Sequence, residues 1–235
     1  MTARALVAGL ALIALPLSAQ NYREVSDHPR PSAFLGLNLQ LGFPQGEFKE
    51  FVGTGYGVGG HITFFLNPEN TVGIRLFGSW IQYGRTTERL PLSPTLPGLL
   101  VDLTTANDIY TFGVGPELQF GGRTARGYVH GAIGASNFAT TTSAEGTNNS
   151  SAFASSTNFN DWTLAYYGGA GVLFQVSGGQ KPVSIDGGVR YQSHGRTRYL
   201  REGSIQPEPG GGVSFDPIES KTDLLIVHLG VQIGI

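Results

Sequence analysis

The chain has 235 residues, with 15 basic and 17 acidic side chains, 35 glycines, 13 prolines and no cysteine. One ordinary domain is the expected size, the near-neutral balance without a basic stripe excludes a nucleic-acid footprint, and no disulfide framework exists although export would permit one. Beyond the first twenty residues no apolar run approaches the ~20 residues of a membrane helix, so any insertion of the remainder must use strands.

Arg4, the apolar run from Ala5 to Leu15, Pro16 and the small pair Ser18 and Ala19 follow the three-part plan of a secretory signal. Cleavage is expected after Ala19, with Leu17 standing where a small residue is more usual. This predicts a signal peptide over residues 1–19, a short periplasmic segment over 20–32 and the folded domain over 33–235.

From Ala33 onward apolar residues alternate with period two, and no amphipathic helix interrupts them, which indicates an all-β domain. In the first segment Leu35, Leu37, Leu39 and Leu41 oppose Gly36, Asn38, Gln40 and Gly42. In the second, Tyr56, Val58, Ile62 and Phe64 oppose Gly57, Gly59, His61 and Thr63. The third sets Val72, Ile74, Leu76 and Trp80 against Gly73, Arg75 and Ser79, and the fourth sets Tyr110, Phe112, Val114, Leu118 and Phe120 against Thr111, Gly113, Glu117 and Gln119. The fifth alternates least clearly, with Val129, Ile133 and Ala135 opposite Tyr128, His130 and Ser136. In the sixth, Trp162, Leu164, Tyr166, Val172 and Phe174 oppose Thr163, Tyr167, Gly169, Gly171 and Gln175. The seventh sets Val183, Ile185, Val189 and Tyr191 against Ser184, Asp186, Gly188, Arg190 and Gln192. The last sets Leu225, Val227, Leu229, Val231, Ile233 and Ile235 against Ile226, His228, Gly230, Gln232 and Gly234.

The connections alternate between short turns, at 67–70, 121–126 and 177–182, and longer segments at 44–53, 84–105, 139–160 and 200–220. Eight strands with short turns at one end and long loops at the other are the plan of an up-and-down transmembrane barrel. Aromatic residues cluster toward both ends of the apolar faces, as two interfacial girdles require. The rival arrangement, a soluble barrel with the apolar set inside, would leave a water-facing surface of Gly, Asn, Gln, Thr and Ser with very little charge. Soluble strands carry charge there for solubility and to guard their edges, so the apolar faces are assigned to lipid. The segment 139–160, almost all Thr, Ser, Ala, Asn and Gly, is expected to be a mobile loop. Segment 84–105 interleaves Pro91, Pro94 and Pro97 with leucines, an apolar strip expected to dip toward the membrane surface, to cover the barrel mouth or to fold back on itself.

The final strand, Asp223 to Ile235, and the stretch Ile185 to Gln192 followed by Arg198, Tyr199 and Leu200 resemble the small outer-membrane β-barrel families, of which the OmpA membrane domain, OmpX and OmpW are members. The resemblance spans roughly 33–235 and is one of pattern. Ile235 stands where the family's C-terminal assembly signal ends in an aromatic residue. The resemblance implies an eight-stranded antiparallel up-and-down barrel in the outer membrane of a Gram-negative cell. Its implied partners are outer-membrane lipids, periplasmic chaperones and the barrel assembly machinery.

The inward faces collect Arg75, Glu117, Asp186 and Arg190 together with His61, His130 and His228. Charges confined where water is scarce must pair, so Glu117 and Asp186 are expected to face Arg75 and Arg190 in a lumen network that plugs the barrel. The three histidines lack metal-ligand spacing, and Gly55, Gly57 and Gly60 lie within an alternating strand rather than before a helix, so they do not make a dinucleotide site. No metal or cofactor is expected. For nucleophilic chemistry the close pairs in sequence are Ser193 with His194 and Ser136 with His130. Neither has an evident orienting carboxylate, and adjacent strand residues point to opposite faces. The resulting expectation is a non-enzymatic barrel with a structural or surface-interaction role and a mostly plugged polar lumen. A narrow channel for small or hydrophobic solutes is the alternative, and an envelope lipid-modifying enzyme the third reading.

Overall fold

A computed structural model describes residues 31–93, 96–146, 149–200, 204–207 and 213–235. The expected signal peptide over 1–19 and nearly all of the 20–32 segment lie outside the described residues. Among the described residues there are twelve strands: β1 Ala33–Pro44, β2 Gly55–Phe65, β3 Val72–Ser93, β4 Leu96–Gly121, β5 Ala125–Gly146, β6 Asn149–Ser177, β7 Val183–His194, β8 Arg196–Tyr199, β9 Ile205–Pro207, β10 Val213–Phe215, β11 Ile218–Lys221 and β12 Leu224–Gly234. Eight of them, β1 to β7 and β12, close one antiparallel barrel, with β12 returning to pair β1 from Phe34↔Gly234 to Pro44↔Leu224. Closure removes every sheet edge within the belt, the condition for strands to cross a bilayer without orphaned backbone groups.

The alternation read from the sequence is the alternation of faces in the barrel, including the fifth strand. Leu37 and Leu39 are 67% and 71% exposed, whereas Gln40 is 3% exposed. Val129 and Ile133 point outward while Tyr128, His130 and Ser136 are buried. The outward apolar stretch runs over eleven and thirteen residues in two of the strands, from Tyr110 to Phe120 and from Trp162 to Phe174, about what a tilted strand needs to cross the hydrocarbon. No helix among the described residues is long and apolar enough to cross a membrane.

At the end carrying both barrel termini the connections are tight. Asn67 Oδ1 accepts hydrogen bonds from the amides of Thr71 and Val72, both 3.0 Å, and Asn70 takes the left-handed conformation at φ 54°, one that Asn tolerates better than most residues. Ile235 N donates to Ala33 O at 2.9 Å, fixing the closing strand pair.

At the opposite end the structure corrects the loop expectation. Residues 84–105 and 139–160 are strand nearly throughout their described length: β3 pairs β4 as far as Ser93↔Leu96, and β5 pairs β6 as far as Gly146↔Asn149. Because β4 also pairs β5 to Val101↔Gly146, four strands rise together beyond the apolar belt as one sheet. Hydroxyl residues align across it in register, Thr87, Thr104, Ser143 and Ser155 in one row and Thr86, Thr105, Thr142 and Ser156 in the next. The hydroxyls of Thr87 and Thr104 lie 3.0 Å apart, and those of Thr105 and Thr142 3.1 Å apart. Threonine favours the pleated backbone and pairs well across strands, so a polar composition here builds sheet rather than loop. In the described part of the segment 200–220, β9 pairs β10, and β11 pairs β8 just before it, both antiparallel.

Candidate functional site

Parity along each strand decides which side chains enter the lumen, and glycine on the neighbouring strand decides whether they fit. A Cβ on Gly36 would lie 2.1 Å from His61 Cε1, and one on Gly169 would lie 2.5 Å from His130 Cε1, so each imidazole occupies the space of a missing side chain. Gly171 and Gly188 make the same room for the Tyr128 hydroxyl. At these positions the glycines let the lumen side chains approach the neighbouring strand closely.

All seven polar residues singled out in the sequence are buried inside the barrel. Arg75 Nη1 donates to Glu117 Oε2 at 2.6 Å, and the same carboxylate accepts from Gln119 Nε2 at 2.8 Å and Thr63 Oγ1 at 3.4 Å. The Arg75 guanidinium also lies 5.2 Å from the centre of the Tyr128 ring. Tyr128 donates to Asp186 Oδ1 at 2.8 Å and sits 2.9 Å from His228 Nε2, which is itself 3.6 Å from that carboxylate oxygen.

The expected pairing of Asp186 with Arg190 is not made. Arg190 instead lies 4.5 Å over the Phe77 ring and donates to Ser79 Oγ at 3.3 Å, with the Gln192 amide oxygen turned toward its Nε and Nη2 at 3.1 Å. Register explains the difference, because one strand carries both residues and Asp186 stands four positions nearer the short-turn end, beside Tyr128 and His228. A π face and neutral oxygens are partners a weakly hydrated guanidinium accepts more readily than an ammonium would. The ring nitrogens of His61 and His130 find no hydrogen-bond partner among the described residues. Among the described residues no group of three or more His, Asp or Glu is placed to hold a metal ion.

Above this polar layer lies an apolar one that the sequence reading did not anticipate. Phe48, from a single 3-10 turn at Gly46–Glu50, is fully buried and packs edge-on to Tyr199, Tyr83 and Phe138 with ring centroids 5.1, 5.7 and 6.2 Å away. Val52, Ile81, Ile109, Leu224 and Ile226 complete the cluster. The inward parity of Ile81, Ile109 and Ile226 was visible in the sequence, but the stopper comes from a connection with no periodicity to mark it.

Beneath Phe138 the structure joins Ser136 to His194, not to His130. Ser136 Oγ lies 3.0 Å from His194 Nε2, 3.0 Å from Thr111 Oγ1 and 3.3 Å from the Tyr167 hydroxyl, while His194 Nδ1 bonds the Thr222 carbonyl. Ser193 faces away and donates to Asp223 Oδ1 at 3.1 Å. A hydroxyl beside an imidazole oriented by a third group has the elements of a nucleophile and its base. Ser136 is wholly buried, however, and Phe138 packs edge-on against His194, which suits a structural knot.

Outside, the belt ends in hydrogen-bonded aromatics: Trp80 Nε1 donates to Asp108 Oδ1 at 2.9 Å, and the Tyr56 hydroxyl to Gln82 Oε1 at 2.9 Å. Amphipathic rings with their polar tips held at one level mark a membrane interface. A closed sheet with apolar residues outside, charges inside and such a girdle has one solvent that suits it. This is a small eight-stranded transmembrane β-barrel.

No family model and no curated protein sequence matches the chain. Among solved structures the barrel is similar to Neisserial surface protein A, NspA, at 12% identity and a TM-score of 0.49 over 87% of this chain and 97% of that one. It is also similar to Ail, the attachment invasion locus protein of Yersinia pestis, at 14% identity and a TM-score of 0.45 over 87% and 98%. A major outer membrane protein from Thermus thermophilus aligns at 12% identity and a TM-score of 0.40 over 84% and 98%. These are likenesses of fold, and the membrane assignment stands on the belt and the closed register.

Proposed function

We propose that the barrel is a sealed, non-enzymatic membrane anchor that displays its four-stranded hydroxyl-lined sheet at the cell surface for structural or surface-interaction roles. The observation that supports this reading is the succession of buried contacts in the lumen: the Arg75–Glu117 pair, the Tyr128–Asp186–His228 group and the Phe48 cluster. A conducting path would have to displace buried, hydrogen-bonded charges, which is costly. Residues 1–19 would direct export, and the barrel assembly machinery with periplasmic chaperones would deliver the chain. The short turns would face the periplasm and the long hairpins the exterior.

Planar-bilayer recording of refolded protein tests the seal. Silence across a wide voltage range, in wild type and in Arg75→Ala, is expected, and a reproducible unitary conductance in the wild type would overturn the reading in favour of a narrow channel.

A further inference from the structure

The outer wall carries a cleft of about 550 Å³ just above the aromatic girdle, lined by residues that include Val52, Gly53, Tyr56, Gln82, Arg85 and Asn107. Its origin lies in strand pairing. The β2 ladder onto β3 ends at Tyr56↔Gln82, whereas β3 runs on to Ser93. Directly after that last pair the β3–β4 register shifts between Gln82 and Gly84, a bulge that pairs Arg85 with Ala106 and gives it the outward parity of Tyr110, while Tyr83 stays inward with Ile81 and its hydroxyl donates to Leu200 O at 3.2 Å. Bulges re-aim side chains in this way and end pairing beside functional sites. Past the bulge β3 has no barrel strand on its β2 side, and the connection 45–54, tied down by Phe48, stands across the gap as the opposite wall.

The chemistry of this cleft is selective. Arg85 is exposed and makes no hydrogen bond or ion pair among the described residues. The acid that feels its charge, Asp108, is held by Trp80 Nε1 at 2.9 Å and Gln82 Nε2 at 3.4 Å. A guanidinium in this setting is a ready partner for an anionic oxygen, phosphate above all. The exposed Tyr56 hydroxyl, which donates to Gln82 Oε1 at 2.9 Å, keeps its lone pairs for a ligand hydroxyl.

Directly below the cleft the wall is apolar, with Leu41 opposite Tyr56 and Val58 opposite Trp80 in the barrel register, and with Leu41, Tyr56 and Val58 exposed. One side of the site is therefore polar and cationic, and the adjoining side lies in hydrocarbon. A ligand that satisfies both must be amphiphilic.

We propose that this cleft binds the phosphorylated sugar headgroup of an outer-leaflet glycolipid, with Arg85 on a phosphate, the Tyr56 hydroxyl near a sugar hydroxyl, and the acyl chains along Leu41 and Val58. The inference rests on the outward orientation of the hairpin end proposed above and is independent of the sealed lumen.

The test uses the full barrel, isotopically labelled and refolded into phosphatidylcholine nanodiscs, where binding is readable whichever way the protein is oriented. Orientation itself is read separately from protease access to the hairpins on whole cells, so failure of one is distinguishable from failure of the other. Lipopolysaccharide is titrated in while the amides of Gly53, Gly84 and Asn107 are followed by NMR. Saturable shifts are expected in wild type and in Arg123→Gln, an equal loss of charge at the opposite end. At least tenfold weaker binding is expected in Arg85→Gln.

Gly53→Trp gives a second, charge-neutral arm. A Cβ at Gly53 meets nothing within 4 Å, so the substitution should fold, as heat-modifiable migration on gels will report, and block the cleft, weakening binding similarly. Unchanged affinity in both Arg85→Gln and Gly53→Trp overturns the site. Equal affinity for dephosphorylated lipopolysaccharide overturns the role of the anion. Equal affinity for soluble glucosamine 1-phosphate overturns the assignment to a lipid.

Discussion

Replacing Glu117 with alanine removes the carboxylate that faces the buried Arg75 guanidinium at 2.6 Å and leaves Gln119 Nε2 and Thr63 Oγ1 without their acceptor. Both charged side chains are nearly inaccessible, at 6% and 1%, so solvent cannot take over the carboxylate's role unless water enters the space left behind. Breaking a buried pair from one side costs about 3–5 kcal/mol, whereas replacing both members with apolar groups of similar volume is often close to neutral. Glu117→Ala should therefore lose about 3–5 kcal/mol, and the double variant Arg75→Met with Glu117→Leu should recover most of that loss. Urea unfolding in detergent micelles, followed by the folded and unfolded bands on unheated gels, measures both. The reasoning is refuted if Glu117→Ala loses less than about 1 kcal/mol, or if the double variant is no more stable than the single one. Either result would mean that the lumen is wet enough to solvate a guanidinium.

Three further outcomes follow from the same structure. Phe48→Ala should destabilise the barrel by about 3–5 kcal/mol, as truncation of a fully enclosed ring does, with a lowered urea midpoint as the readout; a change below about 1 kcal/mol would mean that the 3-10 turn is not seated. In the projecting sheet, the Arg89 hydrogen bond at 2.7 Å holds the Asp102 carboxyl below its usual range. A depressed folded-state value means that the pair supports the hairpin above the ordinary Asp titration and fades as pH falls through the lowered one, so ¹³C titration of Asp102 should move upward in Arg89→Gln and would contradict the pairing if unmoved. Amide hydrogen exchange of Thr140 to Ala144 should be slowed as in a sheet, and exchange at random-coil rates would restore the loop reading.

How far the sequence alone reaches depends on what surrounds each strand. Inside the belt lipid and lumen impose opposite demands on successive residues, and alternation such as Leu37, Asn38, Leu39, Gln40 reads directly as two faces. Beyond the belt hydroxyl residues occupy both faces of the hairpins, so Thr104, Thr105, Thr141 and Thr142 carry no contrast of period two, and composition alone suggested a loop. The β propensity of threonine was the signal that pointed the other way.

Parity also limits what could be said of the lumen. It puts Asp186 and Arg190 on the same face but says nothing of height, and height depends on the stagger between strands. That stagger gives Asp186 to Tyr128 and His228 and sets Arg190 over Phe77. The Ser136–His194 contact spans 58 residues of sequence and has no local signature. Phe77 lay at an inward position between Leu76 and Gly78, where its parity could have flagged it.

The whole account depends on which side of each strand meets acyl chains, and wild-type protein in protonated-lipid nanodiscs answers that without substitution. Nuclear Overhauser transfer from lipid methylenes should reach Leu37, Leu39, Leu229 and Val231 and be absent at Gln40, His228 and Gln232. Transfer to the second set, or water contact along the first, would contradict it.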